Sequence, residues 1–260
     1  MRIKLLFTFL LLILFGALLG CQEDTSKQQN KEIIIEDTKV PNGLSKVTKD
    51  KEVESVTILE SPKNASSPSE AVTYQYKVTF KDGKSAFPQK NDIVFESTLG
   101  DTSIVAIRSP EGETNYTVFL YEYNNTKKWV IDGFLRLQGG TGFMNKEGLD
   151  LPMDKFNALN LKIPKKNKKI WAFANEKEIV TIAVYNRFPF VETNDPEKIT
   201  LTNKNEAYVS KENLKNSYLY YFDSGKLIVV CGNIGKQNII NLANSLPSVN
   251  SAFFPSPKEN

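Results

Sequence analysis

The chain contains no histidine in 260 residues and only two cysteines. Without imidazole there is no usual activator for a serine or cysteine nucleophile, which excludes Ser-His-Asp and Cys-His hydrolases. The histidine-bearing zinc sites of metalloproteases and amidases are excluded for the same reason. A Ser-Lys hydrolase would need a Ser-x-x-Lys spacing, and none occurs. Walker A, Gly-x-Gly-x-x-Gly and EF-hand patterns are also absent, so no cofactor or metal is expected. Carboxylate-only catalysis stays open, because any Asp and Glu can meet in space. Charge of one sign is lacking too, with 33 basic against 30 acidic side chains. A broad electrostatic grip on nucleic acid is therefore not expected.

The longest apolar run lies at the start. Arg2 and Lys4 precede "LLFTFLLLILFGALLG", the layout of an export signal over residues 1–20. As a helix, Leu5–Gly20 would reach about 24 Å, short of a hydrocarbon core of roughly 30 Å. The tetrad Leu18-Leu19-Gly20-Cys21 resembles a bacterial lipobox. That resemblance implies that Cys21 is diacylated and that residues 1–20 are removed. Acyl chains contribute about 0.8 kcal/mol per buried methylene, so two or three would hold the protein on a bilayer. The expected partner is thus the membrane, through the acyl chains on Cys21, at the extracytoplasmic face. The wealth of Lys, Asn and Ile suggests a low-GC, Gram-positive host.

Residues 21–50 then read as the lipidated cysteine and a polar tether, interrupted by one apolar-acidic run, "EIIIED". With Cys21 acylated, Cys231 has no partner for an intramolecular disulfide. An exported protein of this kind depends on its apolar core. Cys231 sits in "LIVVCGN" among β-branched residues and is expected to be buried and inert.

Beyond the tether, strand signals dominate. Residues 51–138 read as an antiparallel β module without a convincing helix. In "EVESVTILE", Val53 leaves the alternation that Val56 and Ile58 keep. In "VTYQYKVTFKDGK", Tyr74, Tyr76, Val78 and Phe80 alternate with polar residues up to an Asp82-Gly83 turn. Tyr116, Val118, Leu120 and Glu122 share one strand face, and Thr117, Phe119, Tyr121 and Tyr123 the other. Trp129 and Ile131 are expected to return antiparallel to Phe119 and Tyr121 after an Asn-rich turn. The glycine-rich "QGGTGFMNKEG" marks a domain boundary, with 139–148 as linker. It lacks the Lys-Ser/Thr and helix that a phosphate-cradling loop needs.

Residues 149–250 form the second expected module, a β-sheet closed by a C-terminal helix. Ile239, Leu242, Ala243 and Leu246 give that helix one apolar stripe; Asn233 is a candidate cap and Pro247 a stop. Residues 251–260 are a tail whose Phe253 and Phe254 are expected to tuck against the domain. The fold class is thus mainly β, α+β, in two antiparallel modules.

Ala207-Tyr208, the aromatic run Tyr218–Phe222, Gly232 and Ala243–Leu246 follow one another in this second segment. The order resembles the uncharacterised C-terminal domains of Gram-positive envelope lipoproteins and of proteins linked to anti-sigma factors. Over roughly the last hundred residues the layout is similar to lipoprotein carriers and sigma-factor regulators. That likeness implies a curved sheet holding a lipid or a peptide, and it carries no catalytic residues.

Two clusters are candidate contact sites. Tyr218, Tyr220, Tyr221 and Phe222 would line a ligand or partner surface, with core packing as the plainer reading. Lys162, Lys165, Lys166, Lys168 and Lys169, in "KIPKKNKK", would meet an anionic leaflet or a phosphate-bearing wall polymer. A solvated loop is the plainer reading there. Asp150 and Asp154 are too few to hold calcium. The reading that follows is a non-catalytic lipoprotein binding an envelope protein, lipid or wall ligand; the alternative is a carboxylate-dependent enzyme acting on wall glycans.

Overall fold

Aromatic and β-branched residues suit a pleated surface, and Asp-Gly and Asn-rich breaks reverse the chain, so this sequence builds sheets. The computed structural model describes residues 51–62, 64–142, 145–191, 195–211 and 217–257. The leader, Cys21, the tether and its "EIIIED" run lie outside the described residues. All described residues fall within one compact unit.

The first sheet joins β1 (Val53–Ile58), β2 (Tyr76–Phe80) and β3 (Ser85–Ala86), with helix α1 (Pro68–Gln75) between its first two strands. The register of β1 on β2 slips between Val53 and Ser55, where Val53 had left the alternation. Helix α1 was not expected, and it takes Tyr74 off the strand and leaves it 56% exposed. Its signal was local. Ser67 Oγ accepts from the Glu70 amide at 3.1 Å, and Pro68 begins the helix, where a missing N–H costs nothing.

The second sheet is a meander of β4 (Ile93–Leu99), β5 (Thr102–Arg108), β6 (Asn115–Tyr123) and β7 (Trp129–Gln138). β7 returns antiparallel beside β6 as expected, with Ile131 opposite Tyr121 and Trp129 opposite Tyr123. The register shifts between Leu120 and Tyr121, which leaves Asp132 as the extra residue of a bulge in β7.

The third sheet has seven strands: β8 (Asn157–Ile163), β9 (Lys168–Ala174), β10 (Ile179–Asn186), β11 (Glu197–Thr200), β12 (Glu206–Val209), β13 (Ser217–Asp223) and β14 (Lys226–Gly232). Their spatial order is β11-β12-β13-β14-β10-β9-β8, and helix α2 (Lys236–Ser245) packs on the sheet. Every named strand pair is antiparallel. Asn233 does not cap α2. Its Oδ1 accepts from the Ile179 amide at 2.7 Å and its Nδ2 donates to the Lys177 carbonyl, so it braces the β9–β10 turn.

The layers share cores. One cluster joins the inner face of the four-stranded sheet (Phe95, Val118, Leu120, Leu135) to one face of the seven-stranded sheet (Ile170, Ala183, Tyr218, Val229). A second lies between the other face of the large sheet and α2, through Ile182, Ile228, Ile239 and Leu242. A third places α1 and the small sheet on the outside of the four-stranded one, through Val72, Tyr76, Phe119 and Tyr121. Burying each Ile, Leu or Phe in such a core contributes about 1.5–3 kcal/mol. Strands β5, β6, β10, β13 and β14 are covered on both faces, which accounts for their near-continuous apolar sequences.

The expected boundary at 139–148 therefore does not separate one core from another. The Gly139 amide donates to Thr114 at 2.7 Å, the Gly140 amide donates to Ala174 at 2.9 Å, and Gly140 bridges to Asn175. Arg108 spans the same seam, donating to the carbonyls of Glu113 and Lys177. Phe143 and Met144 of this stretch lie outside the described residues.

Candidate anion-binding pocket

The lysine run folds as the β8–β9 hairpin, turned by a single 3-10 turn, Pro164–Lys166, and by Asn167 at φ 49°. Successive strand residues point to opposite faces, so the run is divided rather than pooled. Lys168 faces the shared core, and Lys169 faces the side that carries α2.

On the inner side the lysines are neutralised within the protein. Lys166 Nζ lies 2.6 Å from Glu122 and 2.7 Å from Asp132; Lys168 Nζ lies 3.1 Å from Glu122 and 2.8 Å from Asp132. The bulge in β7 turns Asp132 to the face that Glu122 occupies. A hydrogen bond from Lys166 holds the Glu122 carboxyl below its usual range. Burial pushes Asp132 up, but the hydrogen bonds from Lys166 and Lys168 outweigh it and leave that carboxyl lowered as well. Lys166 and Lys168 are thus structural ions, not the anion contacts expected of them. A glycosidase's general acid has a raised pKa, whereas both of these carboxyls are lowered.

On the outer side Asp223 lies opposite Lys226 across the β13–β14 pair, but among the described residues no acidic side chain lines the pocket beside Lys162 and Lys169. Lys162 and Lys169 are direct cross-strand partners, and both line a pocket of about 330 Å³ with Lys226 and the apolar Trp171, Val184 and Phe254; Lys168 borders it too, but its ammonium is turned to Glu122 and Asp132. Like charges opposed across two strands destabilise a sheet. Lys162 and Lys169 form no ion pair among the described residues. Lys226 is oriented by a 2.7 Å hydrogen bond to Asn186 Oδ1. Lys165 is exposed at the hairpin turn, away from the pocket.

The chain's last segment makes one wall. Asp223 Oδ2 accepts from Ser248 Oγ at 3.0 Å and from the Val249 amide at 2.8 Å, which straps residues 247–254 across the sheet. Burial raises the Asp223 pKa, but these hydrogen bonds, together with one donated by Ser224 Oγ, more than reverse it, so the carboxyl is lowered. Phe254 packs edge-on against Trp171, with ring centroids 5.4 Å apart, while Phe253 stays 44% exposed. Only one of the two tail aromatics tucks in. A larger pocket of about 540 Å³ opens beside Gly140, but Asp154 and Glu176 stand there with Lys155 and Lys177, so its charges oppose one another. Asp154 is also paired with Lys146 at 2.6 Å.

The expected aromatic surface is interior. Tyr218 and Tyr220 are buried in the core between the two large sheets, and Tyr221 in the core under α2. Phe222 is half-buried beside Tyr220, with the Arg187 guanidinium over its ring at 4.8 Å. Alternation placed these side chains on the right faces; both faces are covered. Sequence reading missed Trp171, Lys226 and Phe254 as pocket residues, since only the sheet order brings β14 and the tail beside the hairpin.

Cys231 is 1% exposed, shares a 3.1 Å hydrogen bond with Thr181, and burial pushes its thiol up to about 12. Cys231 is expected to take up no thiol reagent at neutral pH until the chain is unfolded. Modification of the folded protein within minutes would contradict this burial.

No protein-family model matches the chain, and no curated protein is found similar to it. The likeness noted for the C-terminal segment therefore rests on the quoted residues alone.

Proposed function

We propose that this chain is a membrane-tethered lipoprotein that binds an anionic component of the cell envelope and does not catalyse a reaction. Its anchor is Cys21, acylated at the extracytoplasmic face of a Gram-positive membrane. The observation that carries the binding role is the set Lys162, Lys169 and Lys226 around one pocket, two of them in like-charge opposition across adjacent strands. The protein neutralises Lys166 and Lys168 on the other face of the same hairpin with its own carboxylates. An arrangement that leaves repulsion on one face only is stabilised by an external anion. The apolar wall of Trp171 and Phe254 gives that anion's uncharged portion a place to rest.

Native mass spectrometry tests both the anchor and the binding role on the full chain, expressed in a Gram-positive host and extracted in non-ionic detergent. The expected species lacks residues 1–20, carries acyl mass on Cys21 and retains an anionic component. That component is lost when Lys162, Lys169 and Lys226 are all changed to Gln. A Cys21→Ala chain is expected to leave the membrane fraction. An apo mass from envelope extracts would overturn the binding role, and membrane retention of Cys21→Ala would overturn the anchor.

A further inference from the structure

We infer that the ligand of this pocket is a phosphate ester on a small organic body, an inference that rests on the binding role just proposed. The pocket's cations are all ammonium groups, and no guanidinium lines it. Planar carboxylates are matched by the forked donors of Arg, whereas Lys acts as a rotatable point charge suited to a tetrahedral, multiply acceptor oxyanion. Direct cross-strand partners have Cβ atoms about 4.5–5.5 Å apart, so Lys162 and Lys169 can close on two oxygens of one phosphate. Lys226, two strands beyond Lys169 across β10, reaches the same space from the opposite side. It is the one of the three already held by a neutral partner, Asn186.

Size and shape restrict the rest of the ligand. A volume of about 330 Å³ stands near the lower end of small-molecule sites, enough for one phosphate and a short polyol or sugar. Trp171, Val184 and Phe254 supply an apolar wall on one side. The Asp223 carboxylate, which would repel an anion, is turned to Ser248 and the Val249 amide and does not line the pocket. The ligand therefore enters between the lysines and the strap, phosphate towards Lys162 and Lys169.

Isothermal titration of the full chain in non-ionic detergent at low salt tests this with five probes: glycerol phosphate, poly(glycerol phosphate), inorganic phosphate, citrate and phosphatidylglycerol vesicles. Glycerol phosphate is expected to bind more tightly than inorganic phosphate and citrate. Lys162→Gln and Lys169→Gln should each weaken it roughly tenfold, the loss of one charge-assisted contact. Lys165→Gln should leave it unchanged. Both pocket variants should melt no lower than the parent, since each removes a repulsion, so lost binding cannot be ascribed to lost folding. Binding of the polymer alongside glycerol phosphate would identify a wall source, and binding of vesicles alongside it a lipid headgroup. Citrate binding without phosphate binding would overturn the phosphate assignment and leave the anion-binding role intact. Vesicle binding alone would overturn the pocket as the site. No response from any probe, or none that depends on Lys162 and Lys169, would overturn both.

Discussion

Gly140→Ala is expected to destabilise the fold by about 3 kcal/mol or more, while Gly142→Ala, two residues on, stays within roughly 0.5 kcal/mol of the parent. A Cβ at Gly140 would stand 2.2 Å from the Phe156 carbonyl carbon and 2.3 Å from the Asn157 nitrogen. Both are backbone atoms, which cannot swing aside as a side chain does. Relief would have to come from moving Gly140 away from Phe156 and Asn157. The Gly140 amide bond to Ala174 and the bridge to Asn175 would go with it. A Cβ at Gly142 meets nothing within 4 Å. Urea unfolding of the two variants checks the contrast. Equal midpoints would mean that the two large sheets are not stapled at this seam.

These two glycines mark the limit of what the sequence discloses. "GGTG" reads as a break in both senses, and nothing local distinguishes the residue pressed against a backbone from the one in open space. Strands were legible because their alternation is a local signal set by the pleat, and even the slip at Val53 was written in it. The C-terminal helix was legible from one stripe at helical spacing. Helix α1 was missed although Ser67, Pro68 and Glu70 carry its start, because the alternation through Tyr74 and Tyr76 read as one strand. The core shared between the two large sheets was not legible, for a different reason. Whether a sheet buries one face or two depends on what lies on it, and continuous apolar runs such as those of β6 and β14 are the only local trace of a second cover. The lysine cluster was half legible. Alternation sorts Lys168 from Lys169, but the carboxylates that neutralise Lys168 are Glu122 of β6 and Asp132 at a bulge in β7, 46 and 36 residues earlier, which no spacing announces.

Asp132→Asn is expected to cost about 3–5 kcal/mol, the usual consequence of removing one partner from a buried ionic group. Lys168 is 8% exposed, and the Asp132 side chain is 9% exposed. With Asp132 neutral, Lys166 and Lys168 share the single charge of Glu122, whose side chain is 40% exposed and better screened. One positive charge is then left in a low-dielectric seam. A paired replacement, Asp132→Leu with Lys168→Met, should recover much of the loss, because well-packed apolar groups often match a buried ion pair in stability. The pH dependence follows from the direction of each shift. Asp132 and Glu122 are lowered in the folded state. Their contribution is therefore complete above the ordinary carboxylate range, near pH 4, and lost as the pH falls through their depressed values. Lys166 is raised, burial notwithstanding, by hydrogen bonds to Asp132 and Glu122. Its share holds below the ordinary lysine value and fades as the pH rises through the raised one. Asp132→Asn should accordingly flatten the acid limb of the stability curve as well as lower its plateau. Urea midpoints measured from pH 2 to pH 7 decide it: a variant with the parent's acid limb would mean that the lysines, not Asp132, draw their stability from elsewhere.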